Sequence, residues 1–534
     1  MSTNPHSRHA KQPPPHEAQS LLNLLHDGHL TQAESAARAL LERYPDAPMV
    51  HGVLGNALAD QGKFSEAIES FRKVVASDPK SAEMQFNLAV VLTHAGRLDE
   101  AVASYRKAVT LMPQLAVAHY NLGAALQAQG KFDEAAASYR KVVAIEPGFF
   151  EAHGNLGAVL QAQGKLDEAV ACYRKALSIH ADARGHFNLA TALRNQGRLD
   201  EAVASYRKAI ALDPGCAEAH SNLGEALFDL GKPEEAMASY HEALAIDPDH
   251  AEANYNLGIF LYDSGDLERA IPCFERSRLH DWRERTLYCL YKTERFDEFK
   301  ASLEPLLHED NTSPFLATLS AHHAANFGVA DRYEFCRNPL DFVYHGRIDA
   351  LAAPDSPLRT DLLRDIELAE ITARKQGRLY HGIQSSGNLF KRPEASFKEL
   401  SSLVKDMVEA YRAHFASQDC VFIKAFPKHI EFSSSWYVKM RTGGHLTSHI
   451  HEAGWLSGSL YLAMPRRDAD CDAGSIEFST HGDDYPQRHT RFPSKTILPQ
   501  VGDIVLFPSS LFHRTIPFHS REERVCVAFD VKPA

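Results

Sequence analysis

The sequence predicts a multidomain α + β protein, in which an N-terminal α–α superhelix of repeated helical hairpins precedes a C-terminal domain of short antiparallel strands. A 34-residue period runs through the N-terminal half, and a strand-like alternation of apolar and polar residues replaces it after about Asp419. The length of 534 residues is too great for a single hydrophobic core. These observations together favour a repeat domain followed by a separate β domain.

The N-terminal half repeats a helical hairpin about eight times. Glycine recurs every 34 residues, with one interval of 33, at Gly28, Gly62, Gly96, Gly130, Gly164, Gly197, Gly231 and Gly265. Proline keeps the same period at Pro45, Pro79, Pro113, Pro147, Pro214 and Pro248. We expect each glycine to end the first helix of a hairpin in a left-handed conformation and each proline to stop the second. Because one hairpin cannot bury its apolar face, the hairpins are expected to stack into a superhelix.

This pattern resembles the tetratricopeptide repeat over roughly residues 14–284. One position of the first helix carries a column of asparagines, at Asn87, Asn121, Asn155, Asn188, Asn222 and Asn256. The column is similar to the asparagine ladder of the O-GlcNAc transferase repeats, which holds the backbone of an extended peptide, a task that suits a carboxamide because it both donates and accepts. The resemblance therefore implies a protein or peptide partner. Hydrogen bonding between neighbouring repeats is the alternative, and any ladder starts at Asn87 because Val53 takes the preceding slot.

The predicted domain order follows from these changes in pattern. A disordered leader is expected at 1–13, the repeats at 14–284, a degenerate helical cap and linker at 285–354, and the C-terminal domain at 355–534. Two amphipathic helices are predicted near the start of that last domain, at roughly 359–375 and 396–416.

Composition and charge exclude several classes of partner. The formal net charge is −12 and there is no long basic run, so no nucleic-acid partner is expected. Neither a signal peptide nor a run of about 18 apolar residues occurs, so no membrane partner is expected. The eight cysteines are scattered and none forms a Cys-x-x-Cys pair, which is typical of a reducing compartment. We therefore predict a cytoplasmic protein.

Several segments of the C-terminal domain alternate as strands do, and clusters of Gly, Pro and Asp separate them. They are SSWYVKMR, GSLYLAMP, GSIEFS, GDIVLFP and RVCVAFDV. Short strands with such turn signals favour a sandwich or a jelly roll.

Histidines cluster where these strands end. His449 and His451 are two residues apart in SHIHEAGWLSGSLYL, and residues two apart in an extended segment point to the same side. His513, in LFPSSLFHRTIPF, would arrive from a distant strand. Because imidazole is a ligand for Fe, Zn and Cu, these histidines predict one metal site. His445 and His519 are close in sequence, and we interpret them as polar residues at the rim of the pocket.

This constellation resembles the 2-oxoglutarate/Fe(II) oxygenases. Residues from about 333 to 534 are similar to a bacterial family of such oxygenases, whose recurring features appear here as NPLDFV, HGIQSSGNLF and GDIVLFPSSLFH. The resemblance implies a double-stranded β-helix (jelly roll) with flanking helices, a dioxygenase activity, and Fe(II) and 2-oxoglutarate as cofactors. It also implies that Arg524, eleven residues after His513, pairs with the far carboxylate of 2-oxoglutarate, with Arg521 as the alternative and Tyr461 as a second contact.

One ligand departs from the family pattern, which has a carboxylate where this sequence has His451. Glu452 is adjacent, but its odd offset should point it the other way, so parity favours His451. The expected function is an Fe(II)- and 2-oxoglutarate-dependent oxygenase, a hydroxylase acting on a protein or peptide that the repeats recruit. The alternative is a non-catalytic repeat scaffold whose C-terminal domain is degenerate or only binds metal. Intact His449, His513 and Arg524 favour the oxygenase.

Overall fold

The computed structural model describes the chain in several stretches, namely 12–308, 312–368, 373–374, 378–385, 388–452, 454–466 and 472–534. The disordered leader predicted at 1–13 lies outside the described residues except for its last two positions. The chain separates into two compact units, an N-terminal unit, Met1–Asn256, and a C-terminal unit, Leu257–Ala534. The domain boundaries that the sequence predicts stay predictions.

The N-terminal unit consists of antiparallel helical hairpins that stack in order along the chain. Its helices are α1 (Pro15–His26), α2 (Leu30–Arg43), α3 (Pro48–Asp60), α4 (Phe64–Ser77), α5 (Ala82–His94), α6 (Leu98–Leu111), α7 (Ala116–Ala128), α8 (Phe132–Ile145), α9 (Phe150–Ala162), α10 (Leu166–Ile179), α11 (Ala183–Asn195), α12 (Leu199–Leu212), α13 (Ala217–Asp229) and α14 (Pro233–Ile246), and it ends within α15 (Ala251–Asp263). This arrangement confirms the predicted superhelix of tetratricopeptide repeats.

The recurring glycines end the first helix of each hairpin, as the 34-residue period predicts, and the fourth hairpin is an example. Gly130 has a φ of +71° between α7 and α8, where the amide of Lys131 donates to Leu126 O at 2.9 Å and closes the end of the helix. Tyr139 is fully buried, and a Cβ placed on Gly123 would lie 2.8 Å from its ring. A second glycine column, which the sequence analysis did not use, therefore lets the two helices of five hairpins approach around the aromatic ring, at Gly55, Gly123, Gly157, Gly224 and Gly258.

The C-terminal unit begins with further helices and adds others around its sheets. They are α16 (Leu267–Ser277), α17 (Trp282–Lys292), α18 (Phe296–Leu303), α19 (Pro314–Phe327), α20 (Asp349–Ala352), α21 (Pro357–Leu368), α22 (Ala395–His414) and α23 (Val421–Lys424). Helix α22 corresponds to the amphipathic helix predicted at roughly 396–416. Helix α21 corresponds to the one predicted at roughly 359–375, but the end of that prediction is wrong, since Ala373 and Arg374 form a strand. In the part of the chain that the structure describes, no helix combines the length and the apolar composition needed to cross a bilayer.

The strands of the C-terminal unit form two antiparallel sheets. They are β1 (Tyr344–Arg347), β2 (Ala373–Arg374), β3 (Leu379–Ser385), β4 (Ile430–Leu446), β5 (Leu456–Ala463), β6 (Ile476–Ser479), β7 (Ser494–Ile497), β8 (Asp503–Pro508), β9 (Phe512–Thr515) and β10 (Arg524–Pro533). The larger sheet has the order β1-β8-β5-β10-β4-β3-β2 and the smaller one β7-β6-β9. All five strands that the sequence predicts are present. Strands β1, β2, β3, β7 and β9 lie outside those five segments, and β1 falls in the predicted linker, where it pairs with β8.

Apolar side chains from both sheets form one buried core. Met440 and Tyr461 come from the larger sheet, Phe478 comes from the smaller one, and all three are fully buried. The α + β class is thereby confirmed, with two antiparallel sheets facing a common core. The finer jelly-roll assignment stays a prediction.

Candidate metal centre

The three histidines that the sequence singles out meet at one point of the C-terminal unit. His449 and His451 lie between β4 and β5, and His513 lies in β9. The backbones of His449 and His513 exchange two hydrogen bonds, of 3.1 and 3.0 Å, so their side chains are held next to each other. One nitrogen from each of the three rings lies within 4.8 Å of the others. This spacing suits three ligands of a single metal ion.

Each ring is oriented by a hydrogen bond at Nδ1. The Nδ1 of His449 is 2.7 Å from Thr447 O, that of His513 is 3.3 Å from Leu511 O, and that of His451 contacts the carboxylate of Asp530. When Nδ1–H donates, the lone pair of Nε2 is left for a metal. Burial lowers the pKa of His449 to about 3, and it also lowers the pKa of His513 well below its usual value. Both rings are therefore neutral near pH 7, which is the form that binds metals.

Asp530 is a site residue that the sequence analysis missed. It is 9% exposed on β10, and it accepts hydrogen bonds from His451, from Ser457 Oγ at 2.7 Å and from Ser434 Oγ at 2.8 Å. Burial would raise the pKa of this carboxyl, but His451 and the two serine hydroxyls outweigh it and leave the pKa lowered. The available signal was spacing, since Asp530 follows Arg524 by six residues in one strand and even offsets share a face.

Arg524 is buried without an anionic partner. It is 2% exposed, and its Nη1 contacts only sulfur atoms, Cys526 Sγ at 3.5 Å and Met440 Sδ at 3.8 Å. Its Nε has no hydrogen-bond partner, and among the described residues no carboxylate pairs with it. Arg521, the alternative in the sequence, is exposed. A buried guanidinium without a counter-ion costs several kcal/mol, so this position is suited to receive an anion.

Tyr461 lies beside this arginine. Its ring centroid is 5.0 Å from Arg524 Cζ, and its hydroxyl is buried without a hydrogen-bond partner. Burial raises the pKa of Tyr461, although the positive charge of Arg524 opposes this. The hydroxyl is therefore neutral and able to donate a hydrogen bond. Two unpartnered buried donors side by side fit a bound carboxylate.

The other candidate residues do not join the three histidines. Glu452 is exposed and accepts a hydrogen bond from the hydroxyl of Tyr262 at 3.4 Å. His445 stacks on Tyr380 with ring centroids 4.7 Å apart, and His519 is exposed. The group that could hold a metal therefore contains His451 rather than Glu452, in line with the parity of the sequence.

Helices of the C-terminal unit pack against loops that adjoin the histidine ligands. In α17, Lys292 Nζ donates to Asp483 O at 2.8 Å, and in α19, Thr318 Oγ1 donates to Ser510 O at 2.7 Å. The sequence interpretation of this region as cap and linker did not anticipate these contacts. A polar cleft borders His449 through Thr447 and Ser448, and its lining also includes Arg378, Asp483 and Arg514.

The predicted asparagine column lies in the N-terminal unit, and its members differ in their contacts. All six side chains are half-buried. Asn155 Nδ2 donates to Tyr120 OH at 3.0 Å, and Asn256 Nδ2 donates to Glu225 Oε1 at 2.9 Å. Asn121 lies against the hydroxyl of Tyr105. The side chains of three members make no hydrogen bond to other described residues, namely those of Asn87, Asn188 and Asn222. Some asparagine side chains of the column are therefore hydrogen-bonded within the repeats, and others have no such bond.

Comparison with known protein families confirms both resemblances. Residues 434–530 match the family described as "Putative 2OG-Fe(II) oxygenase". Tetratricopeptide-repeat families match at 22–81, 53–116, 116–149, 149–214, 187–251 and 227–281. The chain therefore carries tetratricopeptide repeats through its N-terminal half and, at 434–530, a domain of the oxygenase family just named.

Tetratricopeptide-repeat proteins are among the solved structures that resemble the chain. YrrB, described as having an unusual peptide-binding site, is 27% identical, with 35% of this chain and 96% of that chain covered and a TM-score of 0.33. MamA from Desulfovibrio magneticus RS-1 is 22% identical, with 31% and 95% covered and a TM-score of 0.31. A repeat protein from Parabacteroides merdae is 18% identical, with 50% and 98% covered and a TM-score of 0.36. No curated protein matches the chain.

Proposed function

We propose that the protein is an Fe(II)- and 2-oxoglutarate-dependent dioxygenase that hydroxylates a protein or peptide recruited by its repeats. The observation that carries this proposal is the buried guanidinium of Arg524, which has no carboxylate partner among the described residues. A site that only bound metal would have no use for this unpaired charge. A cosubstrate carboxylate would offset it with charge-assisted hydrogen bonds.

In this proposal, one group of residues binds the metal and another binds the cosubstrate. His449, His451 and His513 would hold Fe(II) through Nε2, because their Nδ1 atoms are engaged elsewhere. When bound, the iron and 2-oxoglutarate supply an oxidation in which O2 converts the substrate C–H to C–OH while 2-oxoglutarate becomes succinate and carbon dioxide. Arg524 and Tyr461 would orient the cosubstrate through its far carboxylate. The surrounding apolar core excludes water from these contacts.

A turnover assay with two arginine variants tests the proposal. Purified protein supplied with Fe(II), O2 and 2-oxoglutarate should form succinate. Charged hydrogen bonds contribute about 1.5–3 kcal/mol, so Arg524→Ala should weaken 2-oxoglutarate binding by roughly 10- to 150-fold. Arg521→Ala is the matched control, since this arginine is exposed three residues away. Absence of succinate from the unaltered protein, or equal losses in both variants, would favour the non-catalytic scaffold.

The repeats support the choice of a polypeptide substrate. Asn87, Asn188 and Asn222 leave their amide groups free, and a peptide backbone offers alternating donors and acceptors that match a carboxamide. Asn155 and Asn256 are already engaged within the N-terminal unit, so we assign them a structural role. The substrate would thus be held by repeated contacts along its backbone, which leave its side chains free.

A further inference from the structure

The ligand set carries no negative charge of its own, because His451 stands where the oxygenase pattern has a carboxylate. The carboxylate of Asp530 is hydrogen-bonded directly to the Nδ1 of this histidine. We propose that Asp530 is a positioning residue that supplies, through His451, the charge which the ligand set lacks and thereby sets the affinity of the site for a divalent cation. The inference rests on the proposed metal centre.

The surroundings of Asp530 fix its geometry. Both of its oxygens are occupied, since Ser457 Oγ donates to Oδ1 at 2.7 Å and Ser434 Oγ donates to Oδ2 at 2.8 Å. Ser457 is in turn 2.8 Å from Ser509 Oγ. A carboxylate held in this way accepts the Nδ1–H of His451 and fixes the tautomer that presents Nε2 to a metal.

The other two ligands have a different kind of support. His449 and His513 are oriented by the backbone carbonyls of Thr447 and Leu511, which are neutral. Asp530 is therefore the charged partner within the histidine group. Because a carboxylate behind an imidazole increases the basicity of its free nitrogen, the contribution of Asp530 reaches the metal through a single ligand.

A purely structural role for Asp530 fits the structure less well. It is nearly buried, and among the described residues no lysine or arginine forms an ion pair with it. Asp503, by comparison, is a buried aspartate of the same sheet that pairs with both His345 and Arg347. A buried carboxylate needs a positive partner, and behind His451 a bound cation is the partner that the geometry provides.

The proposal is tested by a double-mutant cycle that uses Co(II) as the probe, because its visible absorption reports coordination without turnover. Asp530→Asn should lower the affinity for Co(II) by roughly 10- to 100-fold, the usual effect of removing such a partner. Asp503→Asn is the control, and it should leave the affinity unchanged even if it lowers the melting temperature. In the His451→Asp background, which places a carboxylate among the ligands, Asp530→Asn should instead preserve or raise the affinity, since it removes a neighbouring like charge.

The outcomes separate this inference from the proposed function. Equal losses from Asp530→Asn in both backgrounds, or no loss in either, would overturn the role of Asp530. If the cycle behaves as expected but the unaltered protein forms no succinate, then the oxygenase proposal fails and the role of Asp530 in metal binding stands. If succinate forms and the cycle is additive, then only the role of Asp530 fails.

Discussion

Arg524→Met should make the ligand-free protein more stable and at the same time reduce the stabilisation that 2-oxoglutarate provides. The guanidinium is 2% exposed, has no carboxylate partner among the described residues, and is surrounded by Met440, Cys526 and Tyr461. Methionine nearly fills the same space without a charge. The substitution therefore removes the cost of an uncompensated buried charge while keeping the apolar packing.

The expected magnitudes follow from the same contacts. Replacing buried ionic groups by apolar groups of similar volume can stabilise a protein by about 1–4 kcal/mol. We expect a gain in this range for Arg524→Met, because the substitution breaks no ion pair among the described residues. In the unaltered protein, 2-oxoglutarate at 100 times its Kd adds about 2.7 kcal/mol. If the Arg524→Met variant forfeits about 1.5–3 kcal/mol of binding, the same concentration adds only about 0.3–1.3 kcal/mol to its stability. The difference in free energy of unfolding between Arg524→Met and the unaltered protein should thus become smaller or change sign when 2-oxoglutarate is added.

Tryptophan fluorescence offers a selective assay for this change. All three tryptophans, Trp282, Trp436 and Trp455, lie in the C-terminal unit, so urea unfolding followed by their emission reports this unit without a contribution from the N-terminal unit. The measurement is made with Fe(II) under anaerobic conditions, with and without 2-oxoglutarate, and Arg521→Met is the control. A variant that is less stable than the unaltered protein without cosubstrate, or that gains as much stability from 2-oxoglutarate, would refute the assignment of Arg524.

Three further predictions concern the metal, the groove and acid stability. His513→Ala and His449→Ala should each abolish stoichiometric Fe(II) binding, and equilibrium dialysis showing unaltered affinity in both would remove the metal assignment. A variant with alanine in place of Asn87, Asn188 and Asn222 should have a higher Michaelis constant for a protein substrate, while its substrate-independent decarboxylation of 2-oxoglutarate should not change. Alanine in place of Asn155, whose side chain is hydrogen-bonded within the repeats, should mainly lower the melting temperature. Burial, and after it the neighbouring His481, lowers the pKa of His322 to about 3. Below about pH 6.5 the unfolded chain binds a proton at this position that the native chain does not, so His322 lowers the free energy of unfolding by about 1.4 kcal/mol per pH unit down to roughly pH 3. His449 and His513 act in the same direction, so His322→Gln should reduce the slope of the fluorescence-detected unfolding by that amount and leave the rest.

The sequence predicts those parts of the site that depend on local spacing. The offset of two between His449 and His451 places both on one side, and the structure brings them to His513 as parity requires. Asp530 could not be assigned in this way, because its role depends on the register of β10 between two other strands. It pairs with Ser457 of β5 and with Ser434 of β4, and these are the residues that hydrogen-bond to its side chain. The even offset from Arg524 places Asp530 on one face of β10, but it does not indicate which residues of the neighbouring strands Asp530 meets.

The same reason explains why β1 was missed. Its four residues, YHGR, carry no run of apolar side chains, and they become a strand because they pair with β8, more than 150 residues further along the chain. The repeats are the opposite case. Each hairpin is specified by glycine and proline positions that recur within 34 residues, so the superhelix could be predicted almost completely from the sequence.

The buried charges of the site predict that metal and cosubstrate bind cooperatively. Asp530 carries a negative charge and Arg524 a positive one, and His449 and His513 are neutral, so the charges of these four groups balance, and they balance again when a divalent cation and a dianion are both bound. A divalent cation alone, or the dianion 2-oxoglutarate alone, leaves an excess of two charges in a region shielded from water. Co(II) affinity should therefore rise when 2-oxoglutarate is present, by a factor in the usual range for coupled sites of about 5- to 150-fold. Calorimetric titration of Co(II) with and without 2-oxoglutarate measures this factor, and it should shrink in Arg524→Met but persist in Arg521→Met. Equal Co(II) affinities in the unaltered protein under the two conditions would show that the charges of Arg524 and Asp530 do not act on one shared site.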